Sequence, residues 1–301
     1  VKLSIIIATH RRAESLARLL ESLAPQIIDG RHEVIVAENG TAIPSRVEAP
    51  LLVTHLHQER PGKCAVQNRA IALARGEVLT LLDDDLTVCA NYVAEVERFF
   101  DMFPQFAAMK GRIAAAENPE LKTGALAPYL DLPLVEHGDE VIEVRGVLGA
   151  NMAFRAAVLR EVGLFDERLG PGAAGHEEET EMSQRIRRAG HRIGYAPGAL
   201  VYHEVDAGRA SRERFIRIAR ERGYCRTLHE EHSRMEVLRA IAIARMRLTV
   251  ATILHRPIGR VAREERRLAV AQGMLDGIRR QQAEAKAPRS IPRGSLHSCP
   301  K

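Results

Sequence analysis

The aliphatic run Val78-Leu79-Thr80-Leu81-Leu82 stops abruptly on three aspartates, Asp83, Asp84 and Asp85. A short, continuous apolar segment reads as a buried strand. Three carboxylates crowded at its end repel one another and lose solvation, so a cation or strong donors must compensate them. Open α/β sheets bind ligands at the carboxyl ends of their strands, where these side chains would project. A hard divalent ion takes oxygen ligands, and Mg²⁺ is usually held by one or two carboxylates plus substrate phosphates. The plainer alternative is a turn in which Asp85 or Asn91 caps a helix starting near Ala90.

The segments around this run alternate in period. Leu3 to Ala8, Glu33 to Ala37 and Leu51 to Leu56 read as strands, as does Ala107 to Ile113. Ala13 to Leu23 carries apolar residues at 16, 19, 20 and 23, one face of a helix. Cys64 to Ala74 and Val93 to Phe103 are further helices. Such alternation predicts a mostly parallel sheet with helices on both faces. From Asn118 to Asp139 the pattern dissolves into a loop or irregular insertion, of the kind that often borders a site. Order returns with Val141 to Val144, Gly146 to Phe154 and a helix over Ala156 to Val162, closed by Gly163. A helix is expected over Glu177 to Ala189, then two short strands, Arg192 to Tyr195 and Ala199 to His203, around Pro197-Gly198.

After Asp206 only helical patterns follow: Ser211 to His232, Met235 to His255 and Ile258 to Ala285. The expected organisation is an α/β domain over 1–205, a basic helical extension over 206–286, and a Pro-containing disordered tail over 287–301. Between Arg209 and Arg247 stand eleven arginines, five glutamates and no lysine. That surplus suits a solvated helical face, anionic lipid, a phosphorylated acceptor or nucleic acid. The four cysteines, at 64, 89, 225 and 299, show neither CxxC spacing nor a disulfide framework, which suggests a reducing compartment. No signal peptide is read at the start, and no apolar stretch reaches the roughly 18 residues of a membrane span. The best approach, Val237 to Leu254, is interrupted by Arg239, Arg245 and Arg247.

A second acidic cluster, Glu177-Glu178-Glu179-Thr180-Glu181, follows the glycine-rich stretch from Gly170 to Gly175. Acidic residues favour a helix's first turn through its dipole. On helical spacing Glu179 shares a face with Met182 and Ile186, whereas Glu177 and Glu181 lean outward. An inward carboxylate behind a flexible loop fits a general base, and an acidic neighbour would raise its pKa towards working pH. His203, at a strand end, reads as structural or as a metal ligand. Arg60-Pro61-Gly62-Lys63 leads into a helix whose amino end, with Lys63, suits phosphate oxygens or is an ordinary turn.

The ordered set of these segments resembles glycosyltransferase family 2 enzymes of the GT-A fold. Ser4 to Arg12 is similar to their opening strand and loop, and Glu33 to Gly40 to their nucleotide-contacting second strand. Pro61 to Glu77, followed by Leu82-Asp83-Asp84-Asp85, resembles the segment ending in the DxD metal motif. Leu148 to Arg155 and Gly163 to Gly170 follow the acceptor-side signature, Glu178 to Met182 the "ED" helix, and Tyr195-Ala196-Pro197 with Val201-Tyr202-His203 the ending. Departures are Glu38 for the usual Asp, Arg11 for a frequent Asn, Gln67 for a common Arg, and Glu178-Glu179 for the "ED" pair. The chain has no Trp, so the QxxRW motif of processive synthases is absent and a single addition is expected.

The resemblance implies a Rossmann-like mixed sheet flanked by helices, and inverting transfer of one sugar from a nucleotide-diphosphate-sugar to a glycan or lipid-linked hydroxyl. It implies that Thr9, Arg11 and Glu38 surround the nucleotide, with Lys63, Asn68, Asp83 and Asp84 at the donor. Asp85, with Asp83 and His203, would hold Mg²⁺ or Mn²⁺, and Glu179 would be the base. The expected location is cytoplasmic, with peripheral contact between the basic helices and an anionic inner membrane face; no nucleic-acid partner is expected. The rivals are a sugar-phosphate nucleotidyltransferase, which usually has a glycine-rich loop where Thr9-His10-Arg11-Arg12 stands, and a non-catalytic nucleotide-sugar-binding protein. A dehydrogenase would need GxGxxG after the first strand, and none follows.

Overall fold

The computed structural model describes residues 2–40, 51–116, 127–130, 133–204 and 211–286. Its first half is built on β1 (Leu3–Thr9), β2 (His32–Asn39), β3 (Val53–Gln58) and β4 (Val78–Asp83). These run parallel in the order β3-β2-β1-β4. All seven residues of β1 are buried, so its aliphatic content packs in both directions. Ile5 and Ile7 join Leu16, Leu19, Leu20 and Leu23 of α1 (Ala13–Leu23) on one face. Ile6 joins Cys64, Val66 and Ala70 of α2 (Lys63–Leu73) on the other. The period of two along the strand therefore separates two cores, with helices covering both faces.

Beyond β4 the sheet becomes mixed. β5 (Leu86–Val88), α3 (Tyr92–Met102), β6 (Phe106–Ala115), β7 (Ile142–Val144), β8 (Asn151–Arg155), α4 (Ala156–Val162), α5 (Glu178–Arg188) and β9 (Arg192–His203) follow in chain order. The sheet continues β4-β8-β6-β9-β5, with β7 also on β9. β8 is antiparallel to both β4 and β6, and β6 and β9 are parallel. The described pairings are thus four parallel and four antiparallel, not mostly parallel. Apolar runs disclose that a strand is buried; they do not disclose the direction of its neighbour.

The two short strands expected around Pro197-Gly198 are one strand, β9, whose register against β6 jumps from Ala196↔Gly111 to Leu200↔Arg112. Asn151 stabilises that irregularity. Its amide nitrogen donates to the Ala199 carbonyl (2.8 Å) and the Arg112 carbonyl (3.1 Å), and its oxygen accepts from the Tyr92 hydroxyl (2.7 Å). Gly111 leaves room for it, because a Cβ there would lie 2.1 Å from the Asn151 amide.

Three helices follow: α6 (Arg212–Arg226), α7 (Arg234–Ile253) and α8 (Ile258–Lys286). Ser211 caps α6 by accepting from Arg214 N, and Ser233 with Glu236 forms a capping box on α7. α8 packs along both others, and Gly223 and Gly273 permit close contact at the α6–α8 crossing. Tyr129 meets Phe215 edge-on, attaching α6 to the insertion before β7. The boundary near 205, the tail from 287, and residues 118–126 and 131–132 of the irregular stretch lie outside the described residues. Among the described residues, no helix is long and apolar enough to cross a membrane.

Candidate active site

The carboxyl ends of β1 and β4 lie side by side, with Ala8 opposite Asp83. The chain then turns so that Asp84 is buried. Its carboxylate accepts from the Thr9 hydroxyl (2.7 Å) and from Arg12 Nη1 (2.9 Å). Burial raises the Asp84 pKa despite those two donors. Arg12 also bonds to Asp85 Oδ2 at 2.9 Å, so one guanidinium ties two of the three aspartates together. Asp85 does not cap α3, because β5 intervenes; Asn91 is the N-cap residue and makes no side-chain cap bond.

β5 pairs antiparallel with the end of β9, placing Leu86 opposite His203. Glu204 N donates to the Asp85 carbonyl at 3.0 Å, which fixes the crossing. His203 is 2% exposed, with Nδ1 2.7 Å from the Glu204 carbonyl and Nε2 3.4 Å from Asp85 Oδ1. The Glu204 carbonyl can only accept, so Nδ1 carries a hydrogen and Nε2 faces Asp85. Among the described residues, no group of three or more His, Cys, Asp and Glu side chains gathers as a metal cage. The Asp85–His203 pair nevertheless fits a divalent ion whose remaining ligands are diphosphate oxygens and water.

Asp83 forms an ion pair with Lys63, at the start of α2. Burial pulls the Lys63 pKa down, but Asp83, Glu178 and Glu179 outweigh it, so the ammonium is held above its ordinary range. Lys63 N donates to the Pro171 carbonyl (2.8 Å), joining the turn before α2 to the glycine-rich stretch. Gly170 (φ 79°) sits where a Cβ would meet Cys64 Sγ at 2.9 Å and the Glu178 carboxyl at 3.2 Å. That contact seats the loop over the amino end of α5.

The three glutamates there meet different surroundings. Glu177 has left-handed backbone (φ 75°) ahead of the helix, is 7% exposed, and faces Arg226 Nε at 3.4 Å. The expectation that it leans outward fails, because helical periodicity does not extend to a residue outside the helix. Glu181 lies against Arg185, which also donates to the carbonyls of Val162, Gly163 and Leu164. Glu178 shares the buried side of α5 with Met182 and Ile186, and burial, reinforced by Glu179, raises its pKa to about 8. Glu179 lines the cleft, and its Oε1 accepts from Gly149 N at 3.1 Å.

Thr9, Arg12, Lys63, Asp83, Asp84, Asp85, Glu179 and His203 line one cleft of about 970 Å³. Three other sequence-predicted residues do not line it. Arg11 is exposed and left-handed (φ 55°), and Arg12 enters the cleft in its place. Asn68 forms a two-way clamp with the backbone of Phe165, at 2.9 and 3.0 Å, and therefore holds a loop. Glu38 is buried at the end of β2, opposite Thr9, while its neighbour Asn39 reaches the wall. Sequence reasoning missed Arg12, the Gly149 N–H, and Arg214, Arg222 and Arg226 of α6. The last three were legible only as spacing, at positions four apart or multiples of four.

Residues 4–133 match the family model described as glycosyl transferase family 2. That stretch carries a glycosyltransferase family 2 domain. Two curated relatives agree with that placement. The glucosyl-dolichyl phosphate glucuronosyltransferase of Haloferax volcanii is 25% identical over 68% of this chain and 70% of its own. The pre-mycofactocin glycosyltransferase of Mycobacterium tuberculosis is 28% identical over 67% of this chain, which spans only 42% of that protein's length. In architecture the family 2 domain and its helices resemble the mannosyltransferase PcManGT of Pyrobaculum calidifontis, solved with GDP-Man and Mn²⁺. The TM-score is 0.55 at 17% identity, covering 97% of this chain and 76% of the other. The mixed sheet with helices on both faces is the GT-A fold.

Proposed function

We propose that the enzyme transfers one sugar, with inversion, from a nucleotide-diphosphate-sugar to a glycan or lipid-linked hydroxyl. The observation that carries this reading is the shared cleft. Glu179 and the Asp83-Asp84-Asp85 cluster, nearly a hundred residues apart in sequence, line the same cavity. The relatives named above act in glycosyl transfer, and the PcManGT complex holds a nucleotide sugar with Mn²⁺.

Asp85 and His203 would hold Mg²⁺ or Mn²⁺, with Asp83 reaching the same region through its pair with Lys63. When bound, such an ion neutralises charge growing on the leaving diphosphate. Lys63 adds a fixed positive charge there, and Thr9 and Arg12 keep Asp84 and Asp85 in position. On the opposite side, Glu179 accepts the proton of the acceptor hydroxyl as its oxygen bonds to the anomeric carbon. The carbon–oxygen bond to the diphosphate breaks in the same displacement, and the nucleoside diphosphate leaves with that electron pair. Gly149 N holds Glu179 Oε1, leaving Oε2 for the incoming hydroxyl.

The direct test is a thermal-shift screen of nucleotide sugars with Mn²⁺, followed by product analysis with the donor that stabilises. Stabilisation by one nucleotide sugar, and inverted product, is expected. Sugar-1-phosphate plus nucleoside triphosphate yielding pyrophosphate would instead identify a nucleotidyltransferase.

A further inference from the structure

Five of the six arginines of α6 divide into two sets. Arg212 and Arg220 face α8, where they pair with Glu265 (2.5 Å) and Asp276 (2.6 Å) and tie the helices together. Arg214, Arg222 and Arg226 line the catalytic cleft together with Ile218. These four stand at i, i+4, i+8 and i+12, a single stripe along one helix face. Arg266, from α8, lines the same wall. Nε of Arg214 is buried there without a hydrogen-bond partner. A buried donor without a partner is costly, and an anion in the cleft would satisfy it.

Position decides which anion. The donor end of the cleft already has its cations, Lys63 on Asp83 and Arg12 on Asp84 and Asp85. The stripe instead adjoins the start of α5: Arg226 touches Glu177, two residues before the proposed base. Pro133 and Leu134 add apolar surface to the same cleft. Guanidinium groups in a row match the several oxygens of a phosphate better than they match a neutral hydroxyl compound.

We infer that this stripe is an acceptor subsite, and that the acceptor carries a phosphate group held by Arg214, Arg222 and Arg226 while its hydroxyl faces Glu179. The inference rests on the glycosyltransferase reading above. The phosphate remains intact during transfer and serves only to orient the acceptor. It belongs either to a lipid phosphate or to a soluble phosphate ester.

The probes are decyl phosphate and inorganic phosphate, titrated calorimetrically into full-length protein saturated with Mn²⁺ and UDP or GDP. Binding alongside the nucleotide is expected, weakened about tenfold or more by Arg214→Gln or Arg222→Gln, with nucleotide binding unchanged. Tighter binding of decyl phosphate assigns the group to a lipid, and equal binding to a soluble ester. Failure of both probes to bind, or equal binding by wild type and variants, overturns the subsite. So does competition between probe and nucleotide, which would return the stripe to the donor. Nucleotide binding also reports folding; should either variant lose it, a Gln substitution of the exposed Arg266 of α8 (Arg266→Gln) replaces it and is expected to weaken the probe likewise. A wild-type protein that binds neither nucleotide overturns the parent reading instead.

Discussion

Glu178 and Glu179 are chemically identical neighbours with different surroundings, because successive helix positions differ by about 100°. Both line the cleft, but Glu179 accepts from Gly149 N there, whereas the buried Glu178 carboxyl packs against Gly170. Glu179→Gln should lower kcat by about 10²- to 10⁴-fold, the usual contribution of a general base. Donor affinity should hold; parallel loss of both, by kinetics and calorimetry, would remove Glu179 from that role. Glu178 produces a different signature. Its pKa is raised to about 8, so between its unfolded value near 4.5 and about pH 8 the folded state binds the extra proton. Stability attributable to this group therefore falls as pH rises through that window and levels off above it. Glu178→Gln should gain Tm over wild type progressively from pH 5 to pH 8; a difference independent of pH would show that Glu178 is not the buried acid. Asp85→Ala should cost at least about tenfold in the Mn²⁺-dependent part of nucleotide affinity. An unchanged Mn²⁺ effect in the titration would exclude Asp85 as a ligand.

At the scale of elements, the register jump of β9 against β6 is bridged by the Asn151 amide. Asn151→Ala would leave the carbonyls of Arg112 and Ala199 and the hydroxyl of Tyr92 without their partner. Each buried group left so costs about 1–3 kcal/mol, and urea denaturation should show a loss of about 2–4 kcal/mol. A loss below about 1 kcal/mol would mean that water or another side chain takes over. The helix α7 presents a different element-level feature. Val237, Ile241, Ala244 and Ala251 are buried, yet Met235, Ile243, Met246, Val250 and Ile253 are exposed. The apolar residues therefore occupy two sides, and Arg239, Arg245 and Arg247 are exposed beside the outer one. Basic charge flanking an exposed apolar face complements an anionic bilayer.

For the whole molecule, peripheral contact between that face and an anionic membrane is the expectation to test. Sedimentation with phosphatidylglycerol vesicles should be strong at low salt and decline by 0.5 M; neutral vesicles should not carry the protein down. Equal recovery on neutral vesicles would contradict an electrostatic contact. Two of the three helices after the sheet also complete the site: α6 and α8 supply residues to the cleft wall. Their role there could not be read from a surplus of arginine, which shows charge without showing what it faces.

The sequence alone determined the strands of the parallel half, the helices and their approximate ends, because burial imposes a period that is written locally in residues such as Ile5, Ile6 and Ile7. It also determined the carboxylate cluster and its place at a strand end. Only the tertiary structure decided that Arg12 rather than Arg11 enters the cleft, that Asn68 clamps a loop, and that Glu177 is covered by Arg226. The physical reason is the same in each case: these roles depend on contacts between segments distant in sequence. Local spacing sets which way a side chain leaves its own backbone, but the partner that meets it comes from another part of the chain.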